Sequence, residues 1–190
     1  MNGMLLPSAT LLIIDVQNAI DDPTWSRWGV RNHPKAEVKM EQLLRAWRQA
    51  RRRVIHVHHW STEAGSTYYP GQPGCESKAC VSPLEGETIF CKDVNSAFIG
   101  TKLESYLRAK EVSQLVVFGV ITNNSVETTV RMAGNLGFEV FLAEDACFTF
   151  AKADYSGRVR TAEEVHAMSL ANLEGEYCHV VETAQIEQWL

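Results

Sequence analysis

The sequence predicts a three-layer α/β/α sandwich around a mostly parallel sheet of about six strands, on three observations. Apolar runs of strand length alternate with segments of helical periodicity, the runs lack the period-2 alternation of a half-exposed strand, and strand, helix, strand recurs about five times. Strands covered on both faces by helices have this pattern, and right-handed crossovers join them. A length of 190 residues fits a single domain spanning 1–190. At that size folding buries about 70% of the unfolded surface, so the core needs no disulfides.

The first strand is expected at residues 10–14, TLLII. Met40, Leu43, Leu44 and Trp47 then repeat at helical spacing, and Arg48, Arg51, Arg52 and Arg53 close that helix as a solvated basic end that complements the helix dipole. A second strand follows at 54–57. The stretch from 61 to 87 has no periodicity and holds Gly65, Gly71, Gly74, Gly86, Pro70, Pro73 and Pro83. Loops this long in a compact domain tend to be functional, so it is expected to wall a substrate pocket. Strands at 88–91, 115–118, 139–142 and 179–181 complete the sheet. Between them come helical faces carried by Leu103 and Leu107, by Val126, Val130 and Ala133, and by Val165, Met168, Ser169 and Leu173. Gly137 and Gly175 stand where glycines end helices.

The net charge of -5 gives no electrostatic footprint for nucleic acid. The apolar start lacks preceding cations and ends at Asp15 after too few residues to span a bilayer, so neither a signal peptide nor a membrane partner is expected. Cys75, Cys80, Cys91, Cys147 and Cys178 are odd in number and show no CxxC spacing, which fits a reducing, cytoplasmic location. GxGxxG, P-loop and GxSxG patterns are absent, which removes the key features of dinucleotide, P-loop and α/β-hydrolase chemistry.

Ligands of open parallel sheets bind beyond the carboxyl ends of the strands. There the sequence offers Asp15, Lys92 with Asp93, and the group from Thr122 to Ser125. Asp15 follows four apolar residues, and as a partly buried carboxylate it requires a cation or donors, for which Lys92 is available; a structural ion pair would satisfy it equally. Asn124 and Glu127 have capping-box spacing, which would put Ser125 at the first helical position, where backbone N–H groups favour an anion. A routine capped helix start has the same pattern. His56, His58 and His59 could hold a metal, but no D-x-H or H-E-x-x-H spacing supplies a further ligand, and no metal is expected. Among Trp25, Trp28, Trp47, Trp60, Tyr68 and Tyr69, Trp60 just past a strand end is the expected pocket aromatic; Asn18 and Tyr155 are further candidates for substrate binding.

Three ordered blocks, LLIIDVQN at 11–18, KDVNSAFIGTKLESYL at 92–107 and GVITNNSVETTVRMAGNLGFEV at 119–140, resemble the signature blocks of the isochorismatase-like cysteine hydrolases. EDACFTF at 144–150 and EEVHAMSLANLEGE at 163–176 are similar to the family's carboxyl-terminal pattern. The resemblance implies a parallel six-stranded sheet and an Asp-Lys-Cys triad that cleaves C–N bonds of small amides, ureides or carbamoyl compounds without a cofactor. It also implies a homo-oligomer. It places the Asp at Asp15, the Lys at Lys92 and the nucleophile at Ser125. A non-proline cis bond would fall at Val120-Ile121, with an oxyanion hole formed by the N–H groups of Ile121 and Ser125. The D-x-H metal pattern of the nicotinamidases is missing.

The family nucleophile is a thiol, and here the residue is a serine. A thiol near pKa 8.5 is readily shifted to thiolate beside a cation and a helix start, whereas a hydroxyl is not. The serine therefore implies a slow or inactive enzyme. Three accounts remain open for it: an introduced Cys-to-Ser replacement, a natural serine variant, or isochorismatase-type chemistry in which Asp15 acts as general acid on a vinyl ether. A catalytically silent binding or scaffold protein is the reading from another class.

Overall fold

The computed structural model describes residues 5–190. Six strands form one parallel sheet: β1 (Thr10–Ile14), β2 (Val54–His59), β3 (Thr88–Lys92), β4 (Gln114–Val120), β5 (Glu139–Phe148) and β8 (His179–Val181), in the order β3-β2-β1-β4-β5-β8. Short β6 (Lys152–Ala153) and β7 (Val159–Arg160) pair antiparallel apart from it. The helices are α1 (Ala36–Gln49), α2 (Leu103–Ala109), α3 (Glu127–Asn135), α4 (Ala162–Ala171) and α5 (Thr183–Glu187). This is the expected α/β class with its six-stranded parallel sheet.

Every residue of β1 and β4 is buried, which is why their sequences are continuous apolar runs rather than alternating ones. Met40, Leu43, Leu44 and Trp47 turn the apolar stripe of α1 into the core. The strand order reverses between β1 and β4, and the crevice beyond their carboxyl ends is where open sheets of this kind bind ligands. Gly119 makes that crevice geometry possible. Its φ is +150°, and a Cβ there would lie 2.1 Å from the Ile14 carbonyl oxygen, so β4 approaches the end of β1 as only glycine allows.

Several local expectations need correction. The basic end of α1 is not merely solvated: Arg48 forms a two-pronged pair with Glu87 at 2.8 Å for both contacts, and Arg52 bonds the Leu6 carbonyl and lies over the Trp47 ring. No capping box starts α3. A five-residue π-helical turn, Thr122–Val126, precedes it, and the Glu127 carboxylate instead accepts bonds from Arg131 and Ser169. Gly137 has the left-handed conformation that follows α3 (φ +83°). Gly175 is left-handed too, but lies beyond α4 in the turn leading to β8. No helix among the described residues is long and apolar enough to cross a membrane.

Two predictions follow from these contacts. Gly119→Ala should destabilise the protein by about 3 kcal/mol, because the new methyl group meets backbone that cannot rotate away; an unchanged urea midpoint would refute this. Burial opposes ionisation of Glu37 and Glu87, but hydrogen bonds from Arg31 and Arg48 respectively win, holding both carboxyls at about 2. Burial holds the His58 imidazole at about 4. All three values are lowered, so the stability they contribute is present at neutral pH. It is lost as pH falls, first from about 6.5 as His58 must charge and then from about 4.5 toward 2. Melting temperature against pH should trace this decline, and Glu87→Gln should flatten its acid limb.

Candidate active site

Asp15 sits one residue past β1 in the left-handed region (φ 54°), a conformation aspartate tolerates better than most residues. Its N–H donates to the Val57 carbonyl and its own carbonyl accepts from the Gln17 N–H, so the turn is fixed on both sides. Lys92, the last residue of β3, donates from Nζ to Asp15 Oδ2 at 2.6 Å and to Ser125 Oγ at 3.3 Å. The Lys92 side chain has no exposed surface and that of Asp15 retains 6%. The structure therefore brings Asp15, Lys92 and Ser125 together, with the ammonium touching both partners.

Burial pushes the Asp15 carboxyl above the usual carboxylate range, while Lys92 and Ser125 act in the opposite direction. Its second oxygen, Oδ1, is buried with no hydrogen-bond partner among the described residues. Ser125 lies within the π-helical turn after β4, and the Val120-Ile121 peptide bond is cis. Such turns recur at functional sites because they re-aim a side chain without ending the helix. The turn is supported from α4, where His166 Nδ1 meets Thr122 Oγ1 at 2.9 Å and Ser169 Oγ donates to the Thr122 carbonyl.

The group opens into a cavity of about 290 Å³ whose walls include Asp15, Trp25, His59, Tyr68, Ile121 and Ser125. Ser61, Thr62, Glu63 and Ser66 also line it, so the start of the 61–87 loop is a wall of this cavity. Three of the expected substrate-binding residues are placed elsewhere. Trp60 is exposed, because the chain leaves β2 with its side chain outside the cavity, and His59 and Tyr68 stand there instead. The Asn18 side chain turns to the Pro73 carbonyl, and Tyr155 is fully exposed at the β6–β7 connection. Trp47 is in the core.

One residue of the site, Gln17, was not singled out by sequence reasoning, and another, His59, was considered only as a metal ligand. Gln17 is fully buried; its Nε2 donates to the carbonyls of His59 (3.1 Å) and Cys75 (2.9 Å), and its Oε1 accepts from the His59 N–H at 2.7 Å. It thus clamps β1, β2 and the long loop together. His59 pairs in register with Lys92, stands edge-on to Tyr68, and has a buried Nδ1 with no partner among the described residues. Burial and the nearby Lys92 lower its pKa, which favours the neutral ring. Position at the carboxyl end of the strand next to Lys92 was the signal that could have found it. Among the described residues His56 bonds Glu87 and His58 bonds Ser77, both at 2.9 Å, and neither belongs to a group of three ligating side chains.

Residues 9–185 match the family model described as the isochorismatase domain. The chain is 39% identical to the isochorismatase family protein YrdC of Bacillus subtilis (strain 168), covering 93% of this chain and 92% of that one. It is 31% identical to streptothricin hydrolase of Streptomyces noursei over 85% of this chain and 58% of the relative. A crystal structure of an isochorismatase-family protein from Chromobacterium violaceum superposes with a TM-score of 0.94 at 56% identity, covering 100% of this chain and 98% of the other.

Lys92→Met keeps the length of the side chain and removes its charge. It should cost about 3 kcal/mol at neutral pH, because Asp15 is left buried without a cation. The folded-state pKa of Asp15 is raised already and rises further in the variant, so the penalty should shrink as pH falls and the carboxyl becomes neutral. Equal penalties at pH 5 and pH 8, read by urea denaturation, would contradict this assignment.

Proposed function

The chain belongs to the isochorismatase family, and from that premise we propose that it is a hydrolase acting on a C–N bond of a small amide, ureide or carbamoyl compound. The observation that carries the reading is Lys92 Nζ lying between the Asp15 carboxylate and the Ser125 hydroxyl in one buried group. In this reading Asp15 takes the Ser125 proton as Oγ attacks the substrate carbonyl carbon. The N–H groups of Ile121 and Ser125 receive the oxyanion, and Asp15 returns the proton to the departing nitrogen. An acyl- or carbamoyl-enzyme remains, and water, deprotonated by Asp15, hydrolyses it. Lys92 balances the carboxylate charge through these steps. The raised pKa of Asp15 makes it a stronger base than an ordinary carboxylate, which supports this role.

The cavity is at the small end of ligand pockets and much of its wall is polar. Asp15 Oδ1 and His59 Nδ1, both without partners, are positions where a bound amide or ureide would find complementary groups. The streptothricin hydrolase relative supports the same direction. The serine makes the hydroxyl the nucleophile, a poorer one than the thiol that the family resemblance places there, so turnover is slow.

A second reading rests on the same raised pKa. A carboxyl whose pKa burial raises is more readily protonated than an ordinary one and, once protonated, can act as general acid toward a vinyl ether, which is the isochorismatase reaction and needs no nucleophile at position 125.

Ser125→Cys separates the two. Under the first reading it should take up a thiol reagent stoichiometrically at residue 125 and release ammonia from members of an amide, ureide and carbamoyl panel faster than the unaltered chain. Adding Asp15→Asn should then lower the rate about 10²- to 10⁴-fold. A folded Ser125→Cys variant inert to the whole panel, with isochorismate consumed by the unaltered chain, would establish the second reading.

A further inference from the structure

Beyond the catalytic group, the structure holds a second cluster of ligating side chains, and we propose that His33, Glu144 and His166 form a binding site for one divalent transition-metal ion of the Zn²⁺ type. The three come from distant parts of the chain: His33 from the loop before α1, Glu144 from β5, and His166 from α4. One ligand atom from each lies within 4.8 Å of the others.

The hydrogen bonding sets which atoms face the cluster. His33 Nδ1 lies 2.9 Å from the Cys147 carbonyl, which can only accept, so Nδ1 carries the proton and Nε2 of the neutral ring keeps its lone pair. His166 Nδ1 lies 2.9 Å from the Thr122 hydroxyl, which can accept from Nδ1–H and so leave the Nε2 lone pair for an ion. Both Nε2 atoms then point at one oxygen, Glu144 Oε2, from 3.7 Å and 3.4 Å. Metal-bound histidines are typically oriented by such a bond from the other ring nitrogen.

The distances favour an ion over direct contact. A charge-assisted bond between imidazolium and carboxylate is about 2.7–2.9 Å. Donors around a tetrahedral ion at about 2.0 Å stand roughly 3.3 Å from one another. The His33 separation of 3.7 Å is beyond a hydrogen bond and the His166 separation of 3.4 Å is a long one, and both are close to the donor spacing around an ion. Two imidazoles and one carboxylate suit Zn²⁺, with water in the fourth position. His33 and Glu144 keep 32% and 24% of their side-chain surface exposed, so an ion and its water have access, while His166 is buried. The adjacent Asp145 is held by Thr183 and Lys39 and is not a ligand.

None of the three residues lines the catalytic cavity. The ion would act as a brace: through Thr122 it would fix the start of the turn that carries Ser125, and through Cys147 the strand position paired with Gly119.

The test is metal binding by the full chain after chelator treatment and dialysis, with Zn²⁺ titrated against a chromophoric competitor. One equivalent should bind, and the melting temperature should rise with it. His33→Ala and Glu144→Gln should each abolish that equivalent, and Thr122→Val, which removes only the orienting hydroxyl, should weaken binding about tenfold. Co²⁺ added to the unaltered chain should give the visible bands of a tetrahedral site with nitrogen and oxygen ligands. Absence of a bound equivalent in the unaltered chain, or its retention in Glu144→Gln, would overturn the proposal. Glu144→Gln is isosteric, so it answers even if His33→Ala fails to fold.

Discussion

The ion pair between Lys92 and Asp15 is the constraint around which the rest of the site is arranged. Both charges are removed from water, and the desolvation cost of such a pair commonly equals or exceeds its Coulomb gain. A pair of well-packed apolar residues would stabilise the sheet at least as well. Its two members also end different strands, with β2 lying between β1 and β3, so keeping them 2.6 Å apart requires the carboxyl ends of all three strands to be held in place. The left-handed turn at Asp15, the glycine at 119 and the buried Gln17 supply that hold.

The supports reach outward from the pair in two directions. Gln17 joins the end of β1 to His59 on β2 and to Cys75 in the long loop, so the loop that walls the cavity is tied to the strand that presents the carboxylate. On the other side, α4 holds the π-helical turn through His166 and Ser169, and Asn123 in that turn accepts a bond from Thr149 just beyond β5. Asp15, Lys92 and Ser125 are thus each fixed by a separate element, which gives the group the narrow geometric tolerance that the proposed proton transfer would demand.

What was legible in the sequence followed from chemistry that acts locally. Residues 10–14 were readable as a strand because burial on both faces selects a continuous apolar run, and 179–181 because of its two β-branched valines, although that edge strand is only half-buried. Asp15 and Lys92 were readable because a charge at the end of such a run must find a partner. Features that depend on how elements meet were not readable. Trp60 and His59 are adjacent, and which one faces the cavity is set by a one-residue difference in strand parity and by where the chain leaves β2. The π-helical turn has the composition of a capped helix start, so Asn124 and Glu127 mimicked a capping box. Gln17 stood in a recognisable block, but its role depends on carbonyl groups 42 and 58 residues away.

The thiols show why the proposed chemistry turns on residue 125. Burial raises the pKa of Cys75, Cys80, Cys91, Cys147 and Cys178 alike, so none is poised as a thiolate, and none lines the cavity of Asp15 and Lys92. No neighbouring sulfur can substitute for the side chain of residue 125. A serine there cannot be ionised in advance by Lys92, because its hydroxyl lies too far above neutrality for one ammonium at 3.3 Å to lower it enough. In the proposed reaction its activation would come at the moment of attack, through transfer of its proton to Asp15, and the burial that raises Asp15 would favour that transfer. A thiol at the same position would instead have its charge formed before attack and stabilised by Lys92. The same buried pair would thus support general-base activation of a hydroxyl or ion-pair activation of a thiol, with the atom at position 125 selecting between them.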